Sequence, residues 1–239
     1  MNAGNPLFNN CIYPEDEGTE VEQSKMGYSN RMNKGIFSVF SLIGFLCIQT
    51  TFALPAVANP KFRLKYEADS KAIHFQGRIT PRAYKKIKEL MKGGAETLVI
   101  DSRGGFIYPA LSIANLVAKH ELKVISSQVC YSACVLIFIA GKYRYALEHT
   151  KFGFHQIGID NKGGFDEPGS PYYYRLRAKE SSLKKRYIEM GIDPEFIHKA
   201  FSIPKKELWE PPLYELMKAK IITRLISSSE FNYYQPYRK

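Results

Sequence analysis

The chain has 239 residues, 45% of them hydrophobic, 13% aromatic and 24% charged. This globular composition excludes a wholly disordered chain, a collagen-like fibre and a polytopic membrane protein, and four cysteines are too few for a disulfide scaffold. A net charge of +11 favours anionic surroundings, whether nucleic acid, a membrane face or an acidic polymer, without choosing among them.

Residues 1–35 are polar and show no apolar period. An apolar run follows from Ile36 to Ile48, and small residues come after it at Ala56-Val57-Ala58. A bilayer-spanning helix takes about 20 apolar residues, a secretory h-region about 7–15. Read from Met32 (or Met26) as the start, the segment has a basic residue, an apolar core and an A-x-A exit, the pattern of a signal peptide. A second reading keeps 36–58 as an uncleaved anchor in the inner membrane; a buried core helix is the plainest alternative. Cleavage after Ala58 would remove three cations and five carboxylates and raise the net charge to +13 over 181 residues. Of the cysteines only Cys130 and Cys134 would remain, in an oxidising periplasmic or extracellular compartment.

From residue 62 the pattern alternates strands and helices. Phe62–Tyr66 and Ala72–Phe75 read as a strand pair around Asp69-Ser70. Thr80-Pro81 supplies an N-cap and a proline at N1 for a helix over Arg82–Met91, which Gly93-Gly94 ends. Glu96–Ile100 is a buried strand leading into Asp101-Ser-Arg-Gly-Gly105, and a helix is expected from Pro109 to His120. Leu122–Ser126 is the next strand, followed by Val129–Cys134 and an apolar helix over Val135–Ala140. Tyr143–Ala146 and Lys151–Phe154 read as strands, ending at His155. A loop rich in Gly, Asp and Pro over 158–171 precedes a long polar helix over Tyr173–Met190. Helices near Pro194–Ala200 and Leu213–Lys220 follow, then Ile221–Thr223, and 227–239 reads as a loose tail. The order implies one α/β domain over about 59–226, with its chemistry at the carboxyl ends of strands.

Three features fall at such strand exits: Gly104-Gly105, Ser132 and His155. Each has a plain reading of its own, respectively a tight turn, a helix N-cap and a half-buried histidine. Together they offer what an activated serine needs: a base within reach and backbone donors for an oxyanion. The stretch Tyr172-Tyr-Tyr-Arg-Leu-Arg-Ala-Lys, with Lys184-Lys-Arg-Tyr187, is basic and aromatic; it reads as a solvated helix face, as a contact for anionic lipid or cell-wall polymer, or as a subunit contact, and no nucleic-acid role is expected of a secreted chain. Cys130 and Cys134 flank Ser132 and read either as a bridge locking the loop or as two buried thiols. They have no Cys or His partners at metal spacing, so no metal is expected.

Asp101-Ser-Arg-Gly-Gly105, Cys-Tyr-Ser132-Ala, Ala140-Gly141 and Gly153-Phe-His155 together resemble the Clp protease proteolytic subunit, and more narrowly its secreted bacterial relatives, within the superfamily that holds crotonase and signal peptide peptidase A. The resemblance runs from about Phe75 to Thr223. It implies a spiral of ββα units, a homo-oligomer, no cofactor, and a peptide or protein substrate laid as an added strand beside the Gly-Gly segment. It also implies Ser132 as nucleophile, His155 as base and then acid, and the N–H groups of Ala133 and of Gly104 or Gly105 as the oxyanion hole. The chain departs from the pattern where the triad aspartate should fall: Ser202–Trp209 holds none, leaving Glu207 and Asp193 as nearby stand-ins. A reduced, dyad-type or lost activity, with the groove kept for binding, is therefore a second expectation. Lys142 or Lys151 as base and a crotonase-type acyl-CoA activity are the weaker readings.

Overall fold

The computed structural model describes residues 62–158 and 169–234. The polar extension 1–35, the segment 36–58, most of the 158–171 loop and the last five residues lie outside the described part. No described helix is long and apolar enough to cross a membrane.

The sheet is built from the residues whose pattern required it. β1 (Phe62–Glu67) and β2 (Ala72–Gly77) form an antiparallel pair, Leu64 opposite Phe75, with the turn carried by Lys71 at φ 48°. β3 (Thr97–Asp101), β4 (Lys123–Ser126), β6 (Tyr143–Leu147) and β8 (Arg224–Ile226) add in parallel, giving the order β1-β2-β3-β4-β6-β8. Successive side chains alternate between the faces. Ile73, Phe75, Leu98, Ile100 and Val124 enter the large core beneath the helices, while Ala72, Val99, Ile125, Leu147 and Ile226 form a smaller core on the other face. Both faces are covered, which is why these strands read as continuous apolar runs.

Helix starts follow the local chemistry. α1 (Pro81–Met91) begins where Thr80 Oγ1 accepts the Ala83 N–H at 3.1 Å, with Pro81 in the first turn. α2 (Ile107–Lys119) starts two residues before the expected Pro109, because proline is tolerated in the first turn. α3 (Ala133–Ile139) also starts two residues early, so Ala133 and Cys134 are helical and Ser132 occupies the N-cap. α4 (Pro171–Glu189) is capped by Ser170, and α5 (Pro194–Ala200) by Asp193, whose carboxylate accepts the Phe196 N–H at 2.7 Å. α6 (Leu213–Lys218) leads into β8.

Two further findings differ from the sequence reading. Residues 228–234, read as part of a loose tail, form α7 (Ser228–Phe231) and a 3-10 turn (Asn232–Tyr234). Phe231 is buried in the smaller core, and Tyr234 packs there too; a polar segment with two well-placed aromatic rings covers the second face of the sheet. The other difference is that the strand pattern after β4 is split. Ser127-Gln128 breaks the chain away from the main sheet, and β5 (Val129–Tyr131) pairs in parallel with β7 (Lys151–Gly153) in a separate two-stranded layer. Isolated bridges extend that layer: Ser102 to Cys130, Ile79 to Gly105, and Phe154 antiparallel to Trp209. The Gly-Gly segment, the serine and the histidine all belong to it.

Candidate active site

Asp101, at the end of β3, sets the departure of β5. Its carboxylate accepts from the N–H groups of Ser127 and Gln128 at 3.0 and 2.7 Å and from Ser127 Oγ at 2.6 Å. The next residue, Ser102, is tied to β5 on both sides, its N–H donating to Val129 O and its carbonyl accepting from Tyr131 N, both at 2.9 Å. β3 and the Gly-Gly turn are thereby fixed against the strand that delivers Ser132.

Ser132 joins β5 to α3 at φ 55° and ψ −125°, a left-handed conformation that an L-residue adopts only when its surroundings impose it. Its N–H donates to Gly153 O at 2.8 Å, which ties the turn to β7. The plain reading of Ser132 was a side-chain helix cap. The residue does hold the N-cap position, but its hydroxyl makes no cap hydrogen bond; the helix is closed by backbone alone, Val135 N donating to Ser132 O at 3.0 Å. A strained strand-to-helix turn that leaves the serine Oγ unspent is the geometry of a nucleophile elbow. Cys130 and Cys134 are disulfide-bonded across this turn, and both are fully buried.

The glycines divide into two roles. Gly104, at φ 97°, lies so close to the elbow that a Cβ there would stand 2.9 Å from Ser132 Cβ and 3.2 Å from Ala133 N. Its absence of a side chain keeps the ground above the Ala133 N–H open. The N–H of Gly104, however, is occupied by Ser102 Oγ at 3.0 Å. Gly105 is pressed against Ile79, where a Cβ would come within 2.2 Å of the carbonyl oxygen. Among the described residues the N–H groups of Gly105 and Ala133 have no acceptor; Ala133 is the first residue of α3, where no intrahelical acceptor exists. Of the three oxyanion candidates, Gly105 and Ala133 are therefore the available pair.

His155 follows β7, half-buried, and lines the same cleft as Ser132. Its Nδ1 lies 2.7 Å from the carbonyl oxygen of Gln156. A carbonyl only accepts, so Nδ1 carries the proton and Nε2 keeps its lone pair, the tautomer a general base requires. The Gln156–Ile157 segment is itself held: Gln156 N donates to Ile203 O at 2.8 Å, Ile157 N donates to Glu180 Oε2 at 3.1 Å, and Arg177 Nη2 donates to Ile157 O. Glu180 is only 5% exposed and pairs with Arg177 at 2.8 Å and Lys184 at 3.1 Å. These α4 residues carry the histidine strap, and sequence reasoning missed them. Spacing at i−3 and i+4 about Glu180 was the available signal, but it is shared with ordinary solvated ion pairs.

The stand-ins for the triad acid separate cleanly. Asp193 is spent as the cap of α5. Glu207 lines the cleft with His155 but is exposed, and among the described residues it makes no hydrogen bond to the imidazole. Lys142 lies apart, paired with Glu121 at 2.6 Å, and Lys151 is at the start of β7, two residues before its exit. No group of three or more metal-ligating side chains occurs among the described residues.

The cleft encloses about 1120 Å³ along Gly104-Gly105, Ser132 and His155. A side pocket of about 50 Å³ opens from it, walled by Val135, Leu136, Ile139, Ile157, Ile197 and Phe201. The arrangement can present a nucleophile, a base of defined tautomer, two oxyanion donors and an apolar recess at one point.

Among solved structures the chain is similar to ClpP1 from Listeria monocytogenes, at 19% identity and a TM-score of 0.54 over 67% of this chain and 94% of that one. It is equally similar to a mutant of the same protein, at 17% identity and a TM-score of 0.54 over 68% and 95%. No protein-family model and no curated protein matches the chain. At this level of identity the likeness shows the fold: residues 62–234 carry a ClpP-like α/β architecture.

Proposed function

We propose that the chain is a serine peptidase of the cell envelope, working with a Ser132–His155 dyad. The observation that carries the reading is a Ser132 hydroxyl on a strained elbow that makes no cap hydrogen bond, beside two N–H groups without an acceptor among the described residues and a histidine whose Nδ1 is already committed. In the reaction Ser132 Oγ attacks the scissile carbonyl and passes its proton to His155 Nε2. Negative charge developing on the carbonyl oxygen is met by the N–H groups of Gly105 and Ala133. The imidazolium then protonates the leaving amine, and water repeats the sequence to free the acyl group.

The Gln156 carbonyl takes over one duty of the usual aspartate, fixing the tautomer. It contributes a dipole rather than a full charge, so the imidazolium is less stabilised and turnover slower than in a full triad. The apolar recess suits an apolar side chain beside the scissile bond. A homo-oligomer accords with the fold likeness. The buried disulfide and the apolar segment with its Ala-Val-Ala exit support an oxidising, periplasmic location.

The second reading, a silent binding protein using the same groove, is favoured by one observation, that among the described residues no carboxylate is bonded to the imidazole. Fluorogenic peptides with leucine, methionine or phenylalanine before the reporter separate the two. Hydrolysis by residues 59–239, lost in both Ser132→Ala and His155→Ala, is the expected result; no hydrolysis of any by folded protein favours the silent groove.

A further inference from the structure

The recess beside the nucleophile is far smaller than the cleft it opens from, about 50 Å³ against about 1120 Å³. Its inner walls come from three helices. One face of α3 runs down from Ser132, with Val135 and Leu136 one turn below the elbow and Ile139 about two turns below. The rest of the inner wall is Ile197 and Ala200 of α5, Phe201 just after it, and Tyr187 of α4. None of these side chains is more than 8% exposed. Phe201 is itself held, its ring 6.3 Å from that of Tyr187 and Lys184 Nζ 5.4 Å from its centroid. Walls packed in this way do not spread freely to admit extra methylenes, because overpacking costs stability as a void does. Size therefore decides what enters. A dry apolar cavity of about 150 Å³ takes one benzene ring, so a recess a third as large takes about two carbons. The inner walls set this ceiling, and it holds whatever lies at the mouth.

We infer that the recess is a size gate for the residue whose carbonyl Ser132 attacks. It admits side chains of about two or three carbons, valine among them, and disfavours longer or aromatic ones. Leu136 and Ala200 set the limit: Leu136 is the largest wall residue one turn below the nucleophile, and Ala200 is the smallest residue in the wall. The inference rests on the peptidase reading above and names its substrate class by side-chain size. Substrates with leucine, methionine or phenylalanine at that place are then turned over slowly rather than not at all, their side chains lying in the open cleft instead.

The test is a homologous series of N-acetyl amino-acid p-nitrophenyl esters: alanine, aminobutyrate, norvaline and norleucine, which run from methyl to butyl, and phenylalanine. Rates are corrected for those of Ser132→Ala protein. The ratio kcat/KM should peak at aminobutyrate or norvaline and fall about tenfold or more by norleucine and phenylalanine. Leu136→Ala should move the peak up to norleucine or phenylalanine, and Ala200→Val should move it down to alanine. Each variant is judged by the ratios among its own substrates, which partial loss of folded protein does not alter. A flat series, or one still rising at phenylalanine in the unaltered protein, overturns the inference, as does a peak that neither variant moves. Fluorophosphonate treatment of the unaltered protein is run in parallel. An adduct on Ser132 with no size preference overturns the inference alone; no adduct removes the peptidase reading and this inference with it.

Discussion

Ser132 and His155 reach one cleft from neighbouring strands, β5 and β7, but they are held by different means. The serine side is fixed by backbone and by a covalent bond. Ser132 N is tied to Gly153 O, Gly104 abuts the elbow, and the disulfide brackets the turn two residues to either side. The histidine side is fixed by segments distant in sequence, through backbone bonds as well as side chains. Gln156 leans on Ile203, Phe154 bridges to Trp209, and the Ile157 backbone is held by Arg177 and the buried Glu180. The contrast teaches that the nucleophile's geometry is written mostly into the chain from Asp101 to Cys134, with one backbone tie to Gly153, whereas the base's geometry depends on the segment around Ile203–Trp209 and on tertiary packing of α4. The histidine side should therefore fail first when packing is weakened.

Glu180→Ala gives the largest expected effect. It strips the partner from Arg177, Lys184 and the Ile157 N–H at once, and breaking a buried pair in this way costs about 3–5 kcal/mol. Urea unfolding measures the loss, and Glu180→Gln, which keeps an acceptor for Ile157, should recover part of it. On the serine side, Gly105→Ala drives a Cβ to 2.2 Å from the Ile79 carbonyl, so the Ile79–Gly105 bridge must open. Serine reactivity should fall at least tenfold by progress of fluorophosphonate labelling, with a stability loss of roughly 1–3 kcal/mol.

Replacing both Cys130 and Cys134 by serine removes the small loop the bridge closes, worth roughly 2 kcal/mol on a chain-entropy reckoning. Labelling should slow while the Glu180 contacts persist; unchanged labelling would show that the backbone alone holds the elbow. Asp193→Ala should cost about 1 kcal/mol, as loss of a helix cap does, and leave labelling unaltered. A collapse in labelling without that loss of stability would return Asp193 to the catalytic set.

The smallest effect concerns pH. Burial holds His74 below its ordinary value, opposed by nearby Glu67, and among the described residues its Nε2 has no hydrogen-bond partner. With the folded value depressed, the neutral ring's contribution is complete above about pH 6.5 and declines as pH falls from there toward the folded value. His74→Gln should flatten that acid limb of the stability curve, read as the urea midpoint between pH 7 and 5.

Much of the fold was legible because its signals are local. Thr80-Pro81 marks a helix start, and the β-branched run before Asp101 marks a strand buried on both faces. The serine side of the site was legible for the same reason. The histidine strap was not, since Glu180 sits in a helix rich in charge, and a buried carboxylate there has the same spacing as a solvated one. The role of the 228–234 segment was also hidden, because only the fold reveals that Phe231 and Tyr234 meet the uncovered face of the sheet. The choice of Gly105 over Gly104 as an open donor turns on one Ser102 hydroxyl, which sequence spacing does not aim.

The central claim is that Ser132 is an activated nucleophile. Intact-mass analysis of residues 59–239 after fluorophosphonate treatment tests it most directly, beside Ser132→Ala. The account predicts a single adduct on the wild type and none on the variant. An unmodified wild type that is folded by circular dichroism, or an equal adduct on Ser132→Ala, would contradict it.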